Sequence, residues 1–247
     1  MMLLVIIAYT VLAINICIWV YLIVSKRSNH KSEVPITKEA FINPYIPYSV
    51  LELDNMFTKD ECESVMAYMN AKMTRSTVVG PTSSANVTPD RTSYTAWLNK
   101  TDTDQEHFIN KFIGIAAMLT GYRTLDFYED ISIVRYQASE YYREHYDACA
   151  TTKNCQNNSR IYRKATLIVY LNDGFSGGET SFPKINVKVT PKTGKVAMFY
   201  DTDHQGVEIA ESLHAGLPVT SGEKWIATLW IKFLPGPTEV EFLDAHN

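Results

Sequence analysis

Beyond Gly121, apolar and polar residues alternate with the two-residue period of β-strands. Short runs of this kind are separated by turns rich in Gly, Asp, Asn and Pro, which is typical of antiparallel sheets. The predicted strands are ISIVRYQ, YYREHYD, KATLIVYLN, INVKVTP, KVAMFYD, ESLHAG and KWIATLWIKF.

The residues before Gly121 predict a strand and two amphipathic helices. YSVLELDNMF is the predicted strand, and KDECESVMAYMNAKM is a helix that begins after Thr58, with Glu61 at the capping-box position. DTDQEHFINKFIGIAAMLTG carries apolar residues three and four apart, and its His107 is expected at the surface or in packing. Helices followed by many strands predict an α+β fold: a double-stranded β-helix (jelly roll) core with supporting helices.

The first 24 residues carry no charge. At ~1.5 Å per residue, a helix of this length spans the ~30 Å hydrocarbon core of a bilayer. We therefore predict a transmembrane anchor over residues 1–24, with a buried core helix as the alternative. A Pro-punctuated linker or stalk over 25–47, a catalytic domain over 48–234 and a C-terminal tail over 235–247 complete the predicted organisation.

Features of the sequence disagree about the cellular compartment of the catalytic domain, which therefore stays open. Basic residues follow the apolar run, and the positive-inside rule would then keep the catalytic domain in the cytoplasm. Cys149 and Cys155 are close enough in sequence for a local disulfide, and three glycosylation sequons start at Asn86, Asn99 and Asn157. The endoplasmic reticulum or secretory lumen is favoured on this second ground.

Charge and composition exclude one class of partner. The chain of 247 residues has a net charge of −4 and no long basic run, so the electrostatic footprint of a nucleic-acid binder is missing. Fifteen tyrosines and four tryptophans fit an aromatic-rich β fold or a groove for a peptide or glycan.

Three residues suggest a metal site. His145 and Asp147 are two positions apart at the end of a predicted strand, where they would project from one face. His214 would complete a two-His-one-carboxylate triad, the ligand set of non-haem Fe(II) oxygenases, brought together from non-adjacent strands of the barrel. Lys224, ten residues later, is a cation placed to hold a cosubstrate carboxylate.

Six segments together resemble the collagen and plant/algal type of 2-oxoglutarate-dependent prolyl 4-hydroxylases, over about residues 48–234. They are LDNMFTKDECESV, RTSYTAWL, VRYQASEYYREHYD, RKATLIVYLND, GGETSFP and HAGLPVTSGEKWIATLWI. Two departures from the family pattern are Ser139, where the family has Gly, and Leu217, where Cys is common. Neither replaces a catalytic group.

The resemblance implies a role for each matched position. His145, Asp147 and His214 would bind Fe(II), and Lys224 would pair with the distal carboxylate of 2-oxoglutarate. The remaining matches are Tyr136 and Thr180 as further 2-oxoglutarate contacts, Tyr142 and Trp230 near the substrate proline, and Arg163 as a peptide contact.

The implied activity is hydroxylation at C4 of peptidyl proline in Pro-rich polypeptides, with release of succinate and CO2. Fe(II), 2-oxoglutarate, O2 and L-ascorbate as reductant are the implied cofactors, and a monomeric catalytic domain is expected. Two alternatives are a 2-oxoglutarate oxygenase with a lysyl or small-molecule acceptor, and a catalytically silent, membrane-anchored binding module.

Overall fold

The computed structural model of the chain describes residues 49–79, 85–148 and 162–233. The predicted membrane helix, stalk and C-terminal tail lie outside these ranges, as do Cys149, Cys155 and Asn157. Of the helices within the described ranges, none combines the length and apolar character needed to cross a bilayer. The anchor, the disulfide and the lumenal location stay predictions from sequence.

Two helices form where the sequence predicts them, α1 (Lys59–Asn70) and α2 (Glu106–Thr120). The capping box is confirmed: Thr58 Oγ1 accepts the Glu61 N–H at 3.2 Å, and the Glu61 carboxylate accepts the Thr58 N–H at 2.7 Å. Exposed His107 of α2 lies 2.7 Å from the same carboxylate, so it links the two helices at the surface.

The start of α2 comes later than predicted. The Asp102 carboxylate accepts the Asp104 backbone N–H at 2.9 Å, and Asn99 does the same for Thr101 at 2.8 Å. Such side-chain turns compete with the helical ladder, because they occupy the backbone donors that a helix would organise.

The strands of the described ranges are short, with two longer members that cross the centre of the molecule. They are β1 (Leu51–Leu53), β2 (Thr74–Arg75), β3 (Val78–Val79), β4 (Ala85–Asn86), β5 (Tyr94–Leu98), β6 (Ile131–Tyr136), β7 (Tyr142–His145), β8 (Tyr162–Tyr170), β9 (Ser176–Gly177), β10 (Thr180–Phe182), β11 (Val187–Val189), β12 (Val196–Tyr200), β13 (His214–Gly216), β14 (Val219–Ser221) and β15 (Lys224–Phe233). Two 3-10 turns occupy Leu125–Phe127 and Ala210–Ser212.

These strands form a major and a minor antiparallel sheet. The major sheet has the order β1-β12-β8-β15-β6-β5-β2, and the minor sheet has the order β11-β10-β13-β7. Two two-stranded antiparallel pairs, β9 with β14 and β3 with β4, complete the described pairings. A β-rich double sheet of the jelly-roll type, predicted from periodicity, is confirmed.

The major sheet separates two apolar clusters, because side chains alternate across it. One face packs against α1 and α2 and includes Leu167 of β8 and Leu229 of β15. The other face looks towards the minor sheet and includes Tyr136, Tyr170 and Ile226. The polar residues of this second face are therefore enclosed between the sheets.

Two details of the predicted strands are wrong. β7 ends at His145 and not at Asp147, because its partner β13 begins opposite, at His214. The two histidines thus lie on neighbouring strands of the minor sheet, not on the non-adjacent strands that we predicted. Ser139, the departure from a family glycine, adopts φ 71° and donates its N–H to Val219 O at 2.7 Å, so the tight turn is kept.

Candidate active site

His145 and His214 face each other across the ladder between β7 and β13. They are register partners, and their ring centroids are 4.2 Å apart. Nδ1 of His145 lies 2.7 Å from Arg143 O, and Nδ1 of His214 lies 2.9 Å from Ser212 O. A carbonyl oxygen only accepts, so each Nδ1 carries the hydrogen and each Nε2 presents a lone pair.

Asp147 completes the group two residues beyond β7. Its Oδ1 lies 3.6 Å from His145 Nε2, and its Oδ2 lies 3.7 Å from His214 Nε2. The ligand atoms of the three residues all lie within 4.8 Å of one another. Burial alone would raise the pKa of Asp147, but the two imidazoles and Arg163 outweigh it and the pKa is lowered. An anionic carboxylate and two free imidazole nitrogens fit a divalent iron ion.

Lys224 is the second candidate group, at the start of β15 and opposite Tyr136 of β6. Its ammonium is buried and donates to Gly178 O at 2.7 Å, and it lies 5.1 Å from the Tyr136 ring centroid. Burial lowers its pKa to about 7, a shift that nearby Glu179 partly opposes. Among the described residues, no carboxylate lies within ion-pair distance of Nζ. A buried ammonium of this kind is costly unless an anion joins it, so the pocket fits a ligand carboxylate.

The Lys224 pocket contains the other two residues expected to contact 2-oxoglutarate. Tyr136 and Thr180 are both buried, and the Tyr170 hydroxyl donates to Thr180 Oγ1 at 2.7 Å. Burial raises the pKa of Tyr136, so its hydroxyl keeps its hydrogen at neutral pH. The structure thus gathers Tyr136, Thr180 and Lys224 between the sheets, together with Tyr170.

Comparisons with known proteins agree with this geometry. A family model described as the 2OG-Fe(II) oxygenase superfamily matches residues 131–232. A putative prolyl 4-hydroxylase of Acanthamoeba polyphaga mimivirus is 36% identical over 184 residues, which cover 73% of this chain and 72% of that protein. The chain belongs to the prolyl 4-hydroxylase family. Prolyl 4-hydroxylase 13 of Arabidopsis thaliana is 31% identical over 77% of this chain and 72% of its own length.

A solved structure extends the likeness to the fold. The viral collagen prolyl hydroxylase of Paramecium Bursaria Chlorella virus-1, in its 2-oxoglutarate complex, superposes with a TM-score of 0.59 at 29% identity. The match covers 75% of this chain and 96% of that one. As a member of this family, the chain is a 2-oxoglutarate- and Fe(II)-dependent dioxygenase. Ascorbate is typical of the family as a reductant, in line with the expectation from sequence.

In this prolyl 4-hydroxylase family member, Trp230 makes a contact that the sequence did not predict. Its indole N–H donates to Asp147 Oδ2 at 2.9 Å, and its ring is buried. The Arg163 guanidinium lies 3.8 Å from that ring, and the exposed Trp97 ring lies 5.9 Å away. Trp230 therefore orients a candidate metal ligand, whereas its predicted contact with the substrate proline stays a prediction.

Tyr142 and Arg163 lie close to the triad on the side where His145 is partly exposed. The Tyr142 ring stacks on His145, with centroids 3.6 Å apart, and burial raises the pKa of Tyr142 to about 12. Arg163 holds Glu129 through two hydrogen bonds of 2.8 and 2.9 Å, and its Nη1 lies 3.4 Å from Asp147 O. Both side chains border the site, and their predicted peptide contacts stay predictions.

Sequence reasoning missed Thr166, Tyr170 and Asp201. Thr166 Oγ1 lies 2.9 Å from Asp147 Oδ2 and 2.8 Å from Asp201 Oδ2. A signal for Thr166 existed, because its hydroxyl interrupts the otherwise apolar run at residues 165–169. Tyr170 and Asp201 carried none, since aromatic residues are common in strands and aspartate is common in the turns that follow them.

Proposed function

We infer that this chain hydroxylates C4 of prolyl residues in a Pro-rich polypeptide, with Fe(II) as cofactor, 2-oxoglutarate and O2 as cosubstrates, and succinate and CO2 as coproducts. The observation that carries the inference is a His145/Asp147/His214 triad in the same fold as the buried ammonium of Lys224. Within the described ranges, that ammonium donates to Gly178 O and has no carboxylate at ion-pair distance. The prolyl acceptor is supported by the putative prolyl 4-hydroxylase of mimivirus at 36% identity and by prolyl 4-hydroxylase 13 of Arabidopsis thaliana at 31%.

The triad would hold Fe(II) through Nε2 of both histidines and one oxygen of Asp147. The bound metal supplies activation of O2, coupled to oxidative decarboxylation of 2-oxoglutarate. The protein contributes the orientation of its ligands: each imidazole is fixed by a backbone carbonyl, and Asp147 is fixed by Trp230 and Thr166. Three protein ligands leave further coordination positions for the reactants.

Lys224 would receive the distal carboxylate of 2-oxoglutarate. Its ammonium is enclosed with the Tyr136 and Tyr170 rings, at 5.1 and 5.7 Å, which exclude water from the charge. A charge-assisted hydrogen bond in such surroundings is stronger than one in water. Tyr136 and Thr180 would donate hydroxyl hydrogens to the same carboxylate, since the Thr180 oxygen already accepts from Tyr170.

The polypeptide would approach past His145, Tyr142 and Arg163. His145 keeps 17% of its side chain exposed, compared with 5% for His214, so the triad opens on this side. The aromatic rings of Tyr142 and Trp230 border the opening and suit an extended, polyproline II-like segment. We expect the catalytic domain to act as a monomer.

The decisive experiment offers purified protein Pro-rich peptides together with Fe(II), 2-oxoglutarate and O2. Tandem mass spectrometry should find the added mass of one oxygen on proline, and acid hydrolysis should release 4-hydroxyproline. Lysine-containing peptides without proline form the matched control for another acceptor. If 2-oxoglutarate is consumed and no prolyl residue gains oxygen, the acceptor is a different one. A protein that forms no succinate with any Pro-rich peptide would instead favour a silent binding module.

A further inference from the structure

Asp201 is a buried carboxyl group that the proposed reaction does not use. It directly follows β12, its side chain is fully enclosed, and its Oδ2 lies 2.8 Å from Thr166 Oγ1. Its Oδ1 has no hydrogen-bond partner among the described residues. Within the same part of the chain, no basic nitrogen lies within ion-pair distance of Asp201. An ionised carboxylate placed there would have only the Thr166 hydroxyl and the more distant charge of Arg163 to offset its burial.

Counting hydrogens at Thr166 shows that two ionised carboxylates cannot flank it. Its hydroxyl carries one hydrogen and lies 2.9 Å from Asp147 Oδ2 as well as 2.8 Å from Asp201 Oδ2. If both aspartates were ionised, one of these short contacts would join two oxygens with no hydrogen between them. One of the two carboxyl groups must therefore carry a hydrogen of its own.

The surroundings decide which aspartate carries it. Asp147 accepts the Trp230 N–H at 2.9 Å and is the proposed iron ligand, and both roles call for its ionised form. Asp201 meets the opposite conditions: burial, and then the charge of Asp147, raise its pKa well above the usual range. The hydrogen accordingly lies on Asp201.

We propose that Asp201 is a positioning residue for the iron site: a neutral carboxylic acid that donates to Thr166 Oγ1 and thereby directs the Thr166 hydrogen to Asp147 Oδ2. Asp147 Oδ2 then accepts from both Thr166 and Trp230, which leaves Oδ1 for the metal. An ionised Asp201 would do the reverse and draw the Thr166 hydrogen away from Asp147. The inference rests on the proposed assignment of Asp147 as an iron ligand.

A double-mutant cycle tests the connection through Thr166, with the affinity of the full chain for Fe(II) alone as its readout. Anaerobic calorimetry gives the dissociation constants, and circular dichroism melting checks the folding of each variant. Asp201→Asn keeps a donor to Thr166 and should bind Fe(II) within about 2-fold of wild type. Asp201→Leu and Thr166→Val should each weaken binding about 10-fold, as is usual for groups that orient a metal ligand.

The double variant separates positioning from packing. If Asp201 acts through Thr166, Asp201→Leu adds little further loss when Thr166 is already Val, so the two effects are not additive. A full additional 10-fold loss in that background would show that Asp201 acts by packing, and would overturn the proposal. A loss in Asp201→Asn as large as in Asp201→Leu would also overturn it.

Infrared spectroscopy tests the hydrogen on Asp201 without any metal. The difference spectrum between wild type and Asp201→Asn at neutral pH should contain the carbonyl band of a protonated carboxylic acid. Only a carboxylate band in that spectrum would contradict the inference, even if Fe(II) binds normally. If the acid band is present but Asp147→Ala leaves Fe(II) affinity unchanged, the proposed ligand set fails, and the positioning role fails with it.

Discussion

At the scale of single residues, Trp230 serves as a hydrogen-bond donor inside an aromatic layer. Its N–H holds Asp147 Oδ2 at 2.9 Å, whereas its ring packs between the Arg163 guanidinium and Trp97. Trp230→Phe keeps most of the ring and removes the N–H, so we expect Fe(II) affinity to fall about 10-fold. Trp97→Phe is the control and should leave that affinity unchanged, because within the described part of the chain the exposed Trp97 indole donates no hydrogen bond to Asp147.

The outcome separates two roles for the same side chain. Calorimetry with Fe(II) reports the orientation of Asp147, and KM for a Pro-rich peptide reports contact with the substrate. Unchanged Fe(II) affinity together with a raised KM in Trp230→Phe would assign the residue to the substrate alone.

Lys224 predicts a pH dependence for 2-oxoglutarate binding. Burial lowers its pKa to about 7, so its ammonium is present below that pH and is progressively lost above it. The incoming carboxylate needs the charged form, and binding above pH 7 must therefore take up a proton. The dissociation constant of 2-oxoglutarate should rise about 10-fold per pH unit above 7.

Calorimetry in buffers of different ionisation enthalpy measures that proton uptake directly. Lys224→Arg retains its charge at all these pH values and is the matched variant, whose affinity should not vary with pH in this range. A wild-type dissociation constant that stays flat from pH 7 to pH 9 would show that the Lys224 ammonium remains charged in the free pocket.

At the scale of elements, the loop before β12 and the start of α1 meet in a close backbone contact. Gly194 adopts φ 77°, its carbonyl accepts the N–H groups of Met56 and Phe57, and a Cβ there would overlap the Phe57 carbonyl oxygen. Gly194→Ala should therefore reduce the free energy of unfolding by about 3 kcal/mol or more. Gly114, exposed in α2 with open space around it, offers the matched control.

Gly114→Ala should raise the free energy of unfolding by about 0.5–1 kcal/mol, because alanine loses less backbone entropy in a helix. Chemical denaturation measures both variants. Equal effects of the two substitutions would show that the contact between Gly194 and Phe57 is not as tight as the structure indicates.

The strands also show which parts of the fold could be predicted from hydrophobic periodicity. β6, β8, β12 and β15 were predictable because each is long enough to alternate between the helix-facing cluster and the interior. The two- and three-residue strands β9 and β14 were not, since they pair with each other across a long stretch of sequence. The end of β7 likewise depends on where β13 begins.

Some features of the candidate site could likewise be predicted from the sequence, and others could not. The spacing of His145 and Asp147 and the family resemblance predicted the ligands and Lys224, and the structure brings these groups between the sheets. The sequence could not predict that Trp230 and Thr166 share Asp147 Oδ2, because this depends on three chain segments meeting. The contact of Asp201 with Thr166 could not be predicted for the same reason.

At the scale of the whole molecule, the two faces of the major sheet have different roles: one stabilises the fold and the other carries functional side chains. Its outer face packs on α1 and α2, and its inner face carries Thr166, Lys224 and Trp230 towards the minor sheet. Substitutions among the helix-facing residues should therefore change stability before they change the reaction. The space between the sheets combines a metal triad, with both histidines on the minor sheet, and a cation for the cosubstrate on the major sheet, which a binding module would not need.

The most direct test of the central claim follows both atoms of isotopically labelled O2 in a single reaction. Purified protein receives Fe(II), 2-oxoglutarate, labelled O2 and a Pro-rich peptide, and mass spectrometry reads both products. We predict one labelled atom in the hydroxyl of 4-hydroxyproline and the other in succinate, in equal amounts, and neither product with Asp147→Ala. Labelled succinate without labelled hydroxyproline, or turnover that survives in Asp147→Ala, would contradict the account.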